Sequence, residues 1–314
     1  MKIIIPGGSG QVGTVLAEAF TNDGHEVVVL SRSAGSRSWG TVSWDGESLG
    51  EWTRELDGAD VVINLAGQSV NCRYTPLNRR VIMDSRLRST RVLGEAISQA
   101  RKPPRVWLQA STATIYAHRY DAPNDEATGI IGGAEPNTPD TWRFSIDVAT
   151  NWERVFDEAE TLRTRKVLLR SAIIMSPSAG GPFDLLLRLV RFGLGGTVGD
   201  GKQFVSWIHD VDFFRAVSWL IEHDELDGAV NVSAPNPLTN KEFMRDLRRA
   251  WGTAVGLPAS EWMLELGAFL LRSESELALK SRRVIPTRLV ESGFTFHFPT
   301  WPEAAAELCA RWRQ

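Results

Sequence analysis

Cysteine is nearly absent from this chain of 314 residues. Cys72 and Cys309 stand far apart, which excludes a disulfide framework and a zinc site of closely spaced thiolates. A reducing, cytosolic setting is expected. Lysine is scarce too, at 6 residues against 29 arginines, yet acidic residues hold the net charge at −3. That balance argues against nucleic acid or an anionic membrane surface as a partner, and leaves room for a local anion site built from arginine. No run reaches the ~18 apolar residues of a membrane span. The chain passes almost directly into KIII, without the apolar region of a signal peptide. The five histidines lack metal-ligand spacing, so no metal is expected. Tyrosine occurs three times, at Tyr74, Tyr116 and Tyr120. The residues four positions later are Asn78, Tyr120 and Asn124, so no Tyr-x-x-x-Lys exists.

What is present is ordinary globular composition, 43% hydrophobic and 23% charged. The strand candidates are KIII (2–5), EVVVL (26–30), TVSW (41–44), DVVINLA (60–66), RVWLQA (105–110) and KVLLR (166–170). Between them run amphipathic segments at 11–22, 76–100 and 141–162. In the last, Phe144, Val148, Trp152 and Val155 form one apolar stripe. Alternating strands and helices predict an α/β fold, a Rossmann doubly wound parallel sheet, and strands without polar alternation fit a sheet covered on both faces. After residue 175 the rhythm changes. Glycine-, proline- and serine-rich stretches interrupt helices, and GAVNVS (228–233) is a further strand. The expected organisation is a core over 1–175, joined by about 205–232, with 176–204 and 233–314 forming a smaller, mainly helical C-terminal lobe on the substrate side.

PGGSGQVG (6–13) carries the strongest local signal. Gly7, Gly10 and Gly13 recur at three-residue spacing, directly after the first strand and at the opening of an amphipathic helix. Glycine permits positive φ and lets the backbone approach a pyrophosphate, while a helix N-terminus offers free N–H groups to an anion. Gly7, Gly8, Ser9, Gly10, Gln11, Val12 and Gly13 are therefore the candidate dinucleotide turn. An acidic residue at the end of the second strand would hold the ribose hydroxyls of NAD. Here Ser31 and Arg32 stand at that place. A guanidinium pairs bidentately with a phosphate, so NADP (NADPH) is expected, with Arg32 as the main contact and Ser31 or Ser33 assisting. The fourth strand ends NLAG, and Leu65, Ala66 and Gly67 leave room for a cofactor across the strand ends. Trp44 and Asp45 either border an adenine or lie on the surface.

GGSGQVG, NLAG and ASTATIY (110–116) resemble the extended short-chain dehydrogenase/reductase superfamily. RYTPLNRRVIMDSRLRSTRVL (73–93), GLGGTVGDGKQFVSWIHDVD (193–212), NVSAPNPLTNKEF (231–243) and RVIPTRLVESGFTF (283–296) narrow the likeness to the atypical YfcH-like epimerase family, which carries a characteristic C-terminal domain. The resemblance implies a Rossmann fold binding NADP, and an oxidoreductase or epimerase acting on a small polar, sugar-nucleotide-like substrate. The other reading is a non-catalytic NADP-binding sensor or scaffold. Relatives in the superfamily dimerise through two long helices, which implies a homodimer through 76–100 and 141–162.

The same resemblance implies a Ser or Thr that orients the substrate, here Thr112 with Ser111 as the alternate. It also implies a Tyr and, four residues on, a Lys. Aligned by Trp152-Glu153, these positions hold Ser145 and Ala149, and a one-residue slip gives Phe144 and Val148. The remaining acid–base candidates are His209 and Tyr116. Arg170 falls on the strand beneath the nicotinamide, and Arg73 and Trp207 are candidates to line the substrate site. The arginines at 79, 80, 86, 88 and 91 read as a solvated or interface face.

Overall fold

The computed structural model describes residues 1–33, 37–259 and 276–314. Its centre is a seven-stranded sheet, all parallel, in the order β10-β6-β5-β4-β1-β2-β3. The strands are β1 (Lys2–Pro6), β2 (Glu26–Ser31), β3 (Gly40–Ser43), β4 (Val61–Asn64), β5 (Val106–Thr112), β6 (Arg165–Ser171) and β10 (Gly228–Val232). The order reverses between β1 and β4, which opens a crevice at the carboxyl ends of those two strands. Each predicted strand is present within a residue or two of its expected ends.

Both faces of the sheet are buried, and single strands show why. In β1, Ile3 and Ile5 face one side and Ile4 the other, all fully enclosed. In β2, Val27 and Val29 oppose Val28 and Leu30 in the same way. Successive side chains point to opposite faces, so a strand covered on both sides reads as an unbroken aliphatic run. Helices α1 (Gln11–Asn22) and α5 (Asp210–Glu222) cover the first face through Leu16, Phe20, Phe213 and Leu220. Helices α2 (Pro76–Gln99) and α3 (Asp140–Asp157) cover the second through Val92, Leu93, Ala96 and Phe156. Fully burying each such side chain is worth roughly 1.5–3 kcal/mol. α3 stops short of the predicted 162, and Leu162 lies fully in solvent.

A third core lies beside the sheet. There α4 (Pro182–Arg191), α6 (Asn240–Trp251) and α9 (Trp301–Trp312) enclose Phe183, Leu187, Phe243, Leu247 and Leu308. Among the described residues, two short helices, α7 (Glu276–Leu279) and α8 (Thr287–Glu291), come between α6 and α9. Small pairings tie this region to the sheet: β7 (Ile173–Met175) runs parallel to β9 (Trp207–His209), and β8 (Phe204–Val205) antiparallel to β11 (Leu238–Thr239). Among the described residues no helix is long and apolar enough to cross a membrane.

Candidate active site

Two cavities line the carboxyl edge of the sheet. The larger, 410 Å³, lies over the ends of β1, β2 and β4, at the crevice. Gly7, Ser9, Gly10, Ser31, Arg32, Ser33, Trp44, Ala66 and Gly67 line it. The turn that makes it is fixed by close packing. Gly7 has φ +75°, and a Cβ there would stand 2.6 Å from the Ala66 backbone. A Cβ at Gly13 would stand 2.3 Å from Gly8. The glycines thus let the turn lie against β4 and let α1 close on the turn. Gly10 begins α1 with no side-chain cap, which leaves the first N–H groups of that helix for an outside anion. Gly8 packs on Ile5 and Val29, and Val12 and Leu65 pack against the core, so these three shape the cleft from behind. Gln11 touches Gly181, and its Nε2 is buried without a hydrogen-bond partner.

The ribose end of the cleft is cationic. Arg32 is exposed at its rim, and the Ser31 hydroxyl accepts from the Ser33 amide at 3.2 Å. Arg80 and Arg88 of α2 also line it; Arg88 is paired with Glu47 at 3.1 Å. Trp44 is buried at the wall rather than lying on the surface. Asp45 accepts from Ser48 and Glu47, and those bonds hold its carboxyl below the usual range. The donors of this cleft fit a dinucleotide phosphate: bare helix N–H groups at one end and, at the other, the Arg32 guanidinium, which forms no ion pair among the described residues.

The second cavity, 230 Å³, begins where β5 ends. Ser111, Thr112 and Thr114 line it from the sheet side, Phe144, Ser145, Val148 and Trp152 from α3, Tyr74, Ile82 and Arg86 from α2 and the residues before it, and Glu276 and Arg282 from the C-terminal region. Thr112 is half-buried, and its Oγ1 also accepts from the Thr114 amide at 3.1 Å, so the strand-end cap and the cavity lining coexist. Ser145 places its hydroxyl 2.5 Å from Glu276 Oε2 and 3.5 Å from the Tyr74 hydroxyl. Ala149 is fully buried in a small apolar cluster with Val284, Ile115 and Tyr116. Arg86 lines this second cavity, and its Nη1 donates to the carbonyl of Gln68, a residue of the larger cleft, and to that of Ile82, at 3.0 Å each.

Several expected site residues belong to the frame instead. Arg170 gives Nε and Nη2 to Glu153 at 2.9 and 2.7 Å and Nη1 to the Tyr116 hydroxyl at 3.0 Å. Burial opposes its charge, but the Glu153 bonds outweigh burial and hold its pKa above the ordinary value. Its guanidinium is therefore committed beneath the site and lines neither cavity. Tyr116 donates to Asn231 at 2.9 Å, and burial pushes its phenol upward, with Arg170 pulling against it. That makes it a strand-to-strand tie rather than an acid–base group. His209 is wholly enclosed. It stacks on Phe298, its Nδ1 caps α5 by accepting from Val211, and its Nε2 meets Glu307 at 2.8 Å. Burial holds its pKa below the usual value despite Asp210 and Glu307, so it is a neutral cap and takes no part in either cavity. Trp207 is fully buried against Trp301, in the third core. Arg73 lines neither cavity, and its carbonyl fixes the start of α2 by accepting from Asn78 Nδ2 at 2.7 Å.

Sequence reasoning also misplaced Arg86. It is not on a solvated face. Along α2 the buried residues Ile82, Ser89, Leu93 and Ile97 follow helical spacing, and Arg86 falls on that same stripe. A cation on the buried stripe of a helix was the signal available. Tyr74, Glu276 and Arg282 reach the cavity through tertiary folding, and no local pattern marks them.

Residues 3–233 match the NAD dependent epimerase/dehydratase family, and residues 259–308 match a domain of unknown function, DUF1731. Over 99% of this chain and the whole of the relative, the sequence is 30% identical to the human epimerase family protein SDR39U1. It is also 30% identical to the epimerase family protein YfhF of Bacillus subtilis, over 99% of this chain and 98% of that one. The crystal structure of human SDR39U1 (isoform 2) with NADPH superposes with a TM-score of 0.86, at 29% identity and 99% coverage of both chains. The UDP-N-acetylglucosamine 4-epimerase of Bacillus cereus shares the fold, with a TM-score of 0.76 at 18% identity.

Proposed function

The chain belongs to the NAD dependent epimerase/dehydratase family, and from that premise we propose that it is an NADP(H)-dependent oxidoreductase or epimerase. Its substrate is a small polar compound, sugar-nucleotide-like in character, held in the cavity at the end of β5. One observation carries the reading. A cleft with a glycine turn at a helix N-terminus carries Ser31 and Arg32 where an NAD site carries an acid, and a second cavity lined by Thr112 lies along the same carboxyl edge of the sheet. The NADPH in the human SDR39U1 crystal structure supports the same cofactor.

The residues divide the work by position. The α1 N-terminus and the glycine turn would hold the pyrophosphate, and Arg32 with Ser31 the 2′-phosphate. When bound, the nicotinamide supplies or accepts a hydride. Thr112 stands where its hydroxyl can hold a carbonyl or alcohol oxygen of the substrate. Arg170, fixed by Glu153, holds β6 against α3 beneath that point, and Ser111 joins the same carboxylate at 2.5 Å. The alternative, a nucleotide sensor or scaffold without turnover, draws its support from α3, where neither Ser145 and Ala149 nor, on a one-residue slip, Phe144 and Val148 supply the superfamily's Tyr and Lys.

Calorimetric titration with NADPH and NADH, followed by NADPH oxidation against a panel of nucleotide-sugar and small carbonyl compounds, tests the proposal. The expected result is preferential NADPH binding, with turnover that falls about ten- to a hundred-fold in Thr112→Ala. Binding without turnover on any member selects the sensor reading. Absence of affinity for either nucleotide overturns both.

A further inference from the structure

We infer that Tyr74 is the proton donor and acceptor of this site and that Arg86 is its cationic partner, a pair supplied from the α2 side of the cavity instead of from α3. The inference rests on the reading that the chain uses NADP(H). It starts from the two vacated positions on α3. Ala149 is fully buried in an apolar cluster with Ala113, Ile115, Tyr116 and Val284, a poor place for an ammonium. Ser145 lines the cavity but carries no phenol, and its hydroxyl lies 3.5 Å from that of Tyr74. A phenol therefore does approach this turn of α3, from across the cavity.

Tyr74 is held for such a task. It immediately precedes Thr75, the N-cap of α2, whose Oγ1 accepts from the Asn78 amide at 3.2 Å. Its own carbonyl accepts from Arg79 Nε at 3.0 Å. Its ring packs edge-on against Phe144, with centroids 5.0 Å apart, and the residue is 8% exposed. The backbone, ring and hydroxyl are thus each fixed by a different neighbour.

Arg86 faces the same cavity. Its guanidinium lies over Trp152, 5.0 Å from the ring centroid. Its hydrogen bonds among the described residues all leave from Nη1 toward carbonyls, and no carboxylate pairs with it. Burial lowers its pKa to about 10, so it remains a cation at neutral pH. Among the described residues, the other charged groups near Tyr74 are Arg282 and Glu276, paired at 3.8 Å, and Arg79, which lies over Phe144. The Arg86 and Arg282 guanidinium groups favour a phenolate, while the burial of Tyr74 and Glu276 behind Ser145 oppose it. The chain Tyr74–Ser145–Glu276 then offers a route by which a proton returns.

The chemistry balances on a carbonyl substrate. Thr112 holds the carbonyl oxygen. As a hydride from the reduced nicotinamide reaches the carbonyl carbon, the π pair moves to oxygen, and Tyr74 gives that oxygen its proton. The carbonyl is reduced to an alcohol and the nicotinamide is oxidised. The phenolate left behind stands among the cations and regains a proton through Ser145. Oxidation of an alcohol runs the same steps backwards.

The test uses the full chain with Tyr74→Phe, Arg86→Met and Arg86→Lys, each checked for folding by circular dichroism. In the protein without cofactor, ultraviolet difference titration reads phenolate formation. Of the three tyrosines, Tyr116 is buried with its phenol pushed up, and Tyr120 is exposed. A phenolate that forms at lower pH than Tyr120 is expected in the wild type. It should vanish in Tyr74→Phe, shift upward in Arg86→Met and return in Arg86→Lys. With NADPH and a turned-over carbonyl compound, Tyr74→Phe should lose about a hundred-fold or more in kcat with NADPH affinity unchanged. Wild-type turnover in Tyr74→Phe, or titration of Tyr74 at or above Tyr120, overturns the inference. Failure of the wild type to bind NADPH would overturn the cofactor reading alone, because the phenol titration needs no nucleotide.

Discussion

The glycine cleft and the cavity beyond Thr112 are linked by the hydrogen bond from Arg86 to Gln68 and are assembled in opposite ways. The cleft takes its lining from the ends of successive strands and one face of α2, all within residues 7–89. The cavity draws on residues from Val70 to Arg282. A site made of strand ends inherits its shape from the sheet, and its defining residues sit next to the elements that position them. A site closed by distant segments depends on tertiary contacts that no short motif records.

The largest effect expected is at the turn itself. Gly7→Val should abolish NADPH binding, because the positive φ alone costs about 1–3 kcal/mol and the Cβ collides with the Ala66 backbone. Calorimetry reads the loss, and retained affinity would break the claim that close packing makes the cleft. Next comes the support beneath the second cavity. Arg170→Met leaves the buried Glu153 without its cation, and urea unfolding should show a loss of about 3–5 kcal/mol. The double change Arg170→Met with Glu153→Met should recover part of it. A large fall in NADPH affinity with unchanged stability would restore Arg170 to the cofactor site.

A smaller effect distinguishes the C-terminal wall by its pH dependence. Lys280 is 1% exposed and donates to the Thr114 carbonyl at 2.7 Å. Burial first, and then Arg282, lowers its pKa to about 8, against the pull of Glu276 and Glu135. From about pH 8 up to the ordinary lysine range, the unfolded chain holds a proton that the folded chain has released. Stability from this group therefore rises with pH through that window, by up to about 3 kcal/mol, while below it the burial penalty persists. The stability of the wild type relative to Lys280→Met should climb from pH 7.5 to 10. A flat difference would mean that the ammonium is not enclosed.

The legibility of the chain follows the same division. Ile3, Ile4 and Ile5 announce a strand buried on both faces, and Gly7, Gly10 and Gly13 announce the turn, because cause and consequence lie within a few residues. His209 and Trp207 misled because SWIHDVD places polar and aromatic groups beside a strand end. The physics there is a helix cap and a core contact with Trp301. Arg86 was hidden among neighbouring arginines, although its place on the buried stripe of α2 sets it apart. Glu276 and Arg282 lie about 200 residues from Tyr74 and meet it only once the C-terminal region folds over α3.

The most direct measurement of the central claim is calorimetric titration of the wild type and Arg32→Ala with NADPH and with NADH. The account predicts that the wild type binds NADPH more tightly, and that Arg32→Ala loses about ten- to a hundred-fold in NADPH affinity while NADH binding holds. A wild type that binds neither nucleotide, or an Arg32→Ala variant with its NADPH preference intact, would contradict it.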